Sequence, residues 1–347
     1  MAEVRKELGE SFSYDDEGFR MSTPVIIANY KAKRLKSRDI ADLGAGIGVQ
    51  ALNFALFSDR VIAVERDAAR IEYLRKNAAI MGAGNLEIIH GDSLDRETVK
   101  KIGKVETVHS DPSRSKAGER WSFEDLSPNP LSIVKAYNCD KFSFDLPATF
   151  PQEDIPGDWE VEYISLFGEL KRLSTYGGSA RIFHKSAVAL PEEERVTGGG
   201  ESHSKGELVR KVPLGLIYDL DGSLSRAGLV LDFIHEKDGL FLIHEDRQNV
   251  FLTSEVQMRS AFLRKCYRIV DSARSMNEVK SLLRKHRAGK VVIRRSMDPK
   301  RYYDEKRRLE EDLVGGKILY LFEFSGIFYL AERMKDGSEF KQLKAKL

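Results

Sequence analysis

The stretch IADLGAGIGVQ, residues 40–50, decides the reading of this chain. An apolar run breaks into Gly44, Ala45, Gly46 and Gly48, so that backbone can approach a ligand where larger side chains would collide. The next apolar run, VIAVERD at residues 61–67, ends on Glu65, with Arg66 beside it, and a carboxylate there can grip two ribose hydroxyls. Together these describe a nucleoside cofactor site. Two cofactors compete for it, and spacing separates them. A dinucleotide fingerprint is G-x-G-x-x-G, whereas these glycines fall as G-x-G-x-G with Asp42 two residues ahead of the first. A carboxylate beside the turn repels a pyrophosphate but accepts hydrogen bonds from an ammonium. S-adenosylmethionine has that ammonium and NAD does not.

At 347 residues the chain has room for two domains. Its 32% charged residues are ordinary for a globular protein, and no apolar stretch approaches membrane-spanning length. The start, MAEVRKELGE, lacks the apolar core of a secretory signal. Cys139 and Cys266 lie far apart without metal-ligand spacing, and the seven histidines are scattered, so neither a disulfide framework nor a metal site is expected. These features predict a cytoplasmic protein without a membrane or metal partner.

The net charge of +2 hides an asymmetry. Residues 213–347 hold 26 Lys and Arg against 20 Asp and Glu, and residues 264–308 hold 16 against 5. Such a stretch suits phosphate binding, since each neutralised phosphate releases counterions. Lys265, Arg284, Lys285, Arg287, Lys290, Arg294 and Arg295 are the candidate RNA contacts. The competing reading is a solvated face in a Lys/Arg-rich protein.

Short β-branched runs alternate with helical periods through the first half, the mark of a parallel sheet covered on both faces. Strands are expected over 40–43, 60–64, 86–90, 105–110 and 141–146, then over 160–165 and 179–184, with helices over 49–57 and 68–81. This order predicts an α/β, Rossmann-like doubly wound sheet with its ligand at the carboxyl ends of the strands. Residues 191–211, PEEERVTGGGESHSKGELVRK, are almost devoid of apolar side chains and read as a linker or loop. The expected division is a catalytic domain over 1–195, a Gly-rich linker over 196–212 and a smaller α/β domain over 213–347. In the last, strands are expected over 214–220, 265–270 and 290–295. Helices are expected over 225–237 and 276–287, and a hairpin over 317–324 and 327–334. A ferredoxin-like or similar layer is the expected form.

Chemistry is expected where the first strands end. Asp42 to Gly48 would hold the amino acid end of the cofactor and Glu65 its ribose. Asp92, with Ser93 next to it, would accept from the adenine amino group. The loop Asp111, Pro112, Ser113, Arg114 would face the transferable methyl. Each has a plainer alternative: Glu65 as a surface acid, Asp92 as a helix cap, Asp111–Pro112 as a turn. Cys139 invites comparison with the nucleophile of uracil C5 methylation, but its polar surroundings favour an incidental thiol.

Residues 16–35, DEGFRMSTPVIIANYKAKRL, with VIAVERDAARIEYLRKNA and HGD, resemble class I S-adenosylmethionine-dependent methyltransferases, and within them the trimethylguanosine synthase group. That resemblance implies that Ser22 and Thr23 pack over the methionine part of the cofactor. The likeness departs at the catalytic loop, where the group has Pro-Pro-Trp and this chain has SDPSRS. Over nearly its full length the chain is similar to prokaryotic methyltransferases with a THUMP-like C-terminal domain, through DPSR, EYISLFGELKRLSTY and IYDLDGSLSRAGLV. THUMP domains bind the acceptor end of tRNA in other modification enzymes, so this second resemblance implies an RNA partner, with tRNA foremost.

The reaction so implied is in-line displacement at the sulfonium methyl, with Asp111 orienting a base nitrogen, guanine favoured, and Arg114 clamping a phosphate or guanine edge. Tyr14, Phe19 or Trp121 are candidates to stack on an extruded base. A methyltransferase acting on a protein or small molecule, and a cofactor-binding RNA factor without turnover, are the rival readings.

Overall fold

The stretch over 40–50 folds as a strand, a left-handed turn and the start of a helix. The computed structural model describes residues 12–114, 120–198, 205–246 and 249–334. They fall into two units, Met1–Gly199 and Gly200–Leu347.

In the first unit α1 (Asp16–Met21) and α2 (Val25–Arg34) precede β1 (Asp39–Leu43), α3 (Val49–Ala55), β2 (Arg60–Glu65), α4 (Ala68–Met81), β3 (Leu86–His90), α5 (Arg96–Ile102) and β4 (Thr107–Ser110). The short strands β5 (Ser113–Arg114) and β6 (Leu126–Ser127) pair antiparallel as a clasp, ahead of α6 (Pro130–Tyr137) and β7 (Lys141–Leu146). Then come β8 (Glu160–Leu166), β9 (Glu169–Gly178), β10 (Lys185–Leu190) and β11 (Glu194–Gly198).

The resulting sheet runs β11-β10-β8-β9-β7-β4-β1-β2-β3, parallel from β7 to β3, with β9 inserted antiparallel between β7 and β8. Strand order reverses between β1 and β4, which places a crevice at their carboxyl ends. Every residue of β1 is buried, and Ile40, Phe54, Val61, Ala63 and Leu74 form the core between the sheet and α3 and α4. Asp67 caps α4 through Ala69 N–H at 2.8 Å, and left-handed Gly82 ends it.

Two expectations change here. The strand expected over 179–184 is a turn followed by irregular chain, and the strand lies at Lys185–Leu190. Gly178, at φ +59°, ends β9 so close to the Asp140 carbonyl that a Cβ would lie 2.0 Å from its oxygen. Part of the expected linker is instead β11, paired with β10, and Lys205–Leu208 form a helical turn. Backbone pairing, which needs no apolar side chain, holds β11. Residues 199–204 lie outside the described residues.

The second unit contains α7 (Lys205–Leu208), β12 (Leu216–Leu220), α8 (Gly222–Ala227), α9 (Val230–His235), β13 (Phe241–Glu245), β14 (Val250–Ser254) and β15 (Leu263–Ala273). After them come α10 (Met276–Lys285), β16 (Ala288–Ile293), α11 (Pro299–Glu310), β17 (Lys317–Phe324) and β18 (Ile327–Arg333). Its seven-stranded sheet runs β13-β14-β12-β15-β18-β17-β16, wider than a four-stranded ferredoxin-like layer. In β17 Leu319 and Leu321 join the core with α10 and α11, while Phe322 and Phe324 join an aromatic core on the other face. The helix expected over 225–237 is broken in two by left-handed Gly228. No helix among the described residues is long and apolar enough to cross a membrane.

Candidate functional site

At the carboxyl ends of β1, β2, β3 and β4 lies a cleft of about 900 Å³. The glycine turn forms its floor. Gly44 and Gly46 take φ values of +86° and +57°, and a Cβ on either would meet nothing within 4 Å, since both face open space. Gly44 and Ala45 N–H both donate to the Val64 carbonyl at 2.9 Å, tying the turn to β2. Gly48 is different. It does not line the cleft, and at φ +96° its Cβ would lie 2.2 Å from Leu74 Cδ1, so it serves the packing of α3 on α4.

Asp42, Glu65, Arg66, Asp92 and Ser93 line the cleft, as do Ser22 and Thr23 from the segment between α1 and α2. The Glu65 carboxylate accepts from Gly46 N–H at 2.8 Å and from Arg66 and Asp67 N–H, both at 2.9 Å, so it also braces the glycine turn. Asp92 does not cap a helix. It accepts from Leu94 N–H at 2.8 Å, and the cap of α5 is Asp95. Asp42 is 2% exposed, and its Oδ2 has no hydrogen-bond partner among the described residues.

Asp111, Pro112, Ser113 and Arg114 form the wall beyond β4, opposite Leu126, Ser127 and Asn129. Asp111 accepts from Arg172 Nη1 at 2.7 Å through Oδ2. The carboxylate is about a third exposed, at 32%, and Oδ1 takes no partner among the described residues. The candidate stacking aromatics lie off the wall. Tyr14 and Phe19 pack on each other at 4.9 Å, and Trp121 carries the Arg114 guanidinium 5.8 Å from its ring centroid.

Beneath this wall is a group of polar side chains that the sequence reading missed. Lys31 of α2, His109 of β4 and Asp145 of β7 are buried, and Arg172 of β9 joins Asp145 to Asp111. Burial favours a neutral Asp145, but Lys31 and Arg172 against it hold the carboxyl well below its ordinary range. A charged or imidazole side chain inside an apolar strand, as in TVHS and KFSFDL, is the available signal.

Cys139 sits at the other end of β7 from the cleft, just ahead of Lys141. Burial pushes its thiol up to about 11, so it is a poor nucleophile at neutral pH. Among the described residues no group of three or more His, Cys, Asp or Glu is placed to hold a metal.

The candidate RNA contacts divide. Lys265 and Arg294 pair with Asp219, Arg284 with Asp312, Lys285 with Asp271, and Arg295 with Glu305 and Glu323. Arg294 and Arg295 are half-buried and knit the second unit together, a structural role that neither the phosphate-binding nor the solvated-face reading gives them. Arg287 and Lys290 are exposed.

Sheet order, glycine turn and crevice make the first unit a class I S-adenosylmethionine-dependent methyltransferase fold. The chain is similar over 92% of its length to a candidate methyltransferase of Porphyromonas gingivalis W83, with 83% of that chain covered, a TM-score of 0.71 and 16% identity. In sequence it is 24% identical over 227 residues to an uncharacterized S-adenosylmethionine-dependent methyltransferase of Mycobacterium tuberculosis, spanning 63% of this chain and 60% of the relative. It is 27% identical over 154 residues to the ribosomal RNA small subunit methyltransferase A of Pelotomaculum thermopropionicum, 44% of this chain and 48% of that protein. The chain thus spans about half to three-fifths of the length of these curated relatives. No family model matches it.

S-adenosylmethionine is the cofactor these similarities imply, and the residues present fit it. The orphaned Oδ2 of Asp42 suits an ammonium, and the open space above Gly44 and Gly46 is a cradle that any Cβ would enter.

Proposed function

We propose that this protein is an S-adenosylmethionine-dependent RNA methyltransferase that N-methylates a base, guanine foremost, in tRNA. The observation that carries the transferase reading is the cleft itself: a buried carboxylate with one unpartnered oxygen, Asp42 Oδ2, and an ion-paired, partly exposed carboxylate, Asp111, both in its lining. The RNA part draws on the ribosomal RNA relative, the basic second unit and the THUMP-like resemblance.

In this reading Asp42 would hold the cofactor's ammonium, Glu65 its ribose hydroxyls and Asp92 its adenine amino group, with Ser22 and Thr23 covering the methionine part. The cofactor supplies an electrophilic methyl on sulfur. The protein's task is then alignment of the acceptor. Arg172 fixes the Asp111 carboxylate, whose Oδ1 is left to accept a hydrogen bond from the target N–H, orient the nitrogen lone pair and take the proton as the N–C bond forms and the methyl–sulfur bond breaks. Arg114 stands on the same wall to meet a phosphate or a guanine edge.

The test is transfer of labelled methyl to tRNA and, separately, to ribosomal RNA from a strain lacking the gene, followed by mass spectrometry of the nucleosides. Methylguanosine in the tRNA fraction is expected. Label in ribosomal RNA alone overturns the tRNA assignment, and label in neither overturns the RNA reading.

A further inference from the structure

Lys31 lies in the last turn of α2 with no exposed surface, and its ammonium is the hub of a chain of polar side chains. Nζ lies 2.8 Å from Nε2 of His109 and donates to Oδ1 of Asp145. The other ring nitrogen of His109, Nδ1, lies 2.8 Å from Oδ1 of Asp42. Asp145 also accepts from Ser174 at 2.6 Å and from Arg172. The ring of Phe54 meets the imidazole edge-on at 5.2 Å, which fixes the plane of His109.

Donor and acceptor counting assigns the protons. An ammonium has three donors and no acceptor, so the imidazole nitrogen facing Lys31 must accept. In a neutral imidazole the proton then sits on Nδ1, and the atom facing it, Asp42 Oδ1, accepts. An imidazolium would instead turn its Nε2–H toward the ammonium at 2.8 Å, while the carboxylate oxygen on that side, Asp145 Oδ2 at 3.6 Å, lies beyond hydrogen-bond reach. Burial, the larger effect, holds Lys31 below its ordinary range, and the ion pair with the Asp145 carboxylate opposes that and favours the ammonium. The two oxygens of Asp42 are therefore unequal: Oδ1 is satisfied by His109, and Oδ2 is not.

We propose that Lys31 and His109 are positioning residues for the amino acid end of the cofactor: Lys31 fixes His109 as its Nδ1–H tautomer, and that N–H pins Asp42 so that Oδ2 receives the ammonium. This rests on the S-adenosylmethionine reading of the cleft. The physical gain is preorganisation. A carboxylate already held by one charge-assisted hydrogen bond loses less freedom when the ligand arrives, and cannot swing to satisfy itself elsewhere. Neither residue lies in the glycine turn, so the device joins α2 and β4 to a site built at the ends of β1 and β2 and in the loops that follow the strands.

Two measurements test it. In nitrogen-15 histidine spectra of the ligand-free protein at neutral pH, His109 is expected to show the Nδ1–H pattern. An Nε2–H tautomer or an imidazolium overturns the proposal whether or not the cofactor binds. In equilibrium titrations, His109→Phe is expected to weaken S-adenosylhomocysteine by roughly ten- to a hundredfold. His109→Asn, whose amide N–H can replace Nδ1–H, is expected to restore most of that affinity. The probe 5′-methylthioadenosine, which lacks the amino acid, is expected to bind all three proteins alike. Equal losses for both probes would mean that His109 only supports the fold, and would overturn the positioning role. If the wild-type protein binds neither probe, the cofactor reading falls and takes the positioning role with it, while the spectra still report the tautomer.

Discussion

Arg172 donates to Asp111 at 2.7 Å, so the carboxylate that follows β4 is held by a guanidinium 61 residues further along the chain. The same Nη1 donates to buried Asp145, and the loop acid is therefore anchored to the middle of the sheet. Asp111→Ala is expected to lower methyl transfer by roughly a hundredfold or more while leaving S-adenosylhomocysteine affinity near wild type. Arg172→Met is expected to lower transfer too, but with a loss of thermal stability, because it strips a partner from buried Asp145. Single-turnover rates and melting curves on the two variants separate these effects.

Gly46 and Gly48 belong to one turn but face different things. Gly48→Ala would set its Cβ 2.2 Å from Leu74 and hold a left-handed φ, so its melting temperature is expected to drop by about 2–8 °C. Gly46→Ala faces open cleft at φ +57°, and the expected result is a smaller drop in melting temperature with a larger loss of cofactor affinity. Calorimetric melting and titration of each variant make the comparison.

The basic stretch of the second unit separates in the same way. Replacing exposed Arg287 and Lys290 together by Ala is expected to weaken RNA binding at low salt and to reduce the slope of log affinity against log salt by about 1–2. Arg294→Gln is expected instead to destabilise the unit, because Arg294 donates to Asp219 at 2.6 Å beside Tyr267. Salt-series filter binding and urea unfolding distinguish the outcomes.

Asp271 accepts from Lys285 at 2.9 Å and contacts His286 at 3.0 Å, and these partners, His286 first, pull its carboxyl down from 3.8 to about 2. A depressed carboxyl stabilises the fold above its unfolded pKa and loses that contribution as pH falls through the folded value. Asp271→Asn is therefore expected to melt below wild type near neutral pH, with the gap closing between about 4 and about 2. Melting curves in a pH series check it, and a gap independent of pH would count against the ion pair.

Much of the parallel sheet was legible because it is apolar and strictly local. The strands at Leu86–His90 and Lys141–Leu146 and the helix at Ala68–Met81 follow from runs and periods alone. What escaped depends on residues far apart. The start of β9, ELKR, is polar, with Lys171 and Arg172 lining the cleft, and has no β-branched run to announce a strand. The helix α11, PKRYYDEKRRLE, fully buries only Leu309 among its described side chains, with Tyr302 partly buried beside it, too few apolar positions to announce it. The cleft residues lie at strand ends, where glycines and acids mark them, whereas Lys31 and Arg172 act through partners 78 and 61 positions away.

The clasp of Ser113 with Ser127 and Arg114 with Leu126 has a consequence for how such a protein can diversify. It ties together the two ends of the segment between Arg114 and Leu126, immediately after Asp111. The pairing closes directly behind the acid, and the Ser113 hydroxyl also donates to the Ser127 carbonyl at 3.0 Å. A lineage that redraws Leu126 or Ser127 can therefore reshape the wall beside the acid without rebuilding β1, β2 or the glycine turn, the part of the cleft proposed to hold the methyl donor.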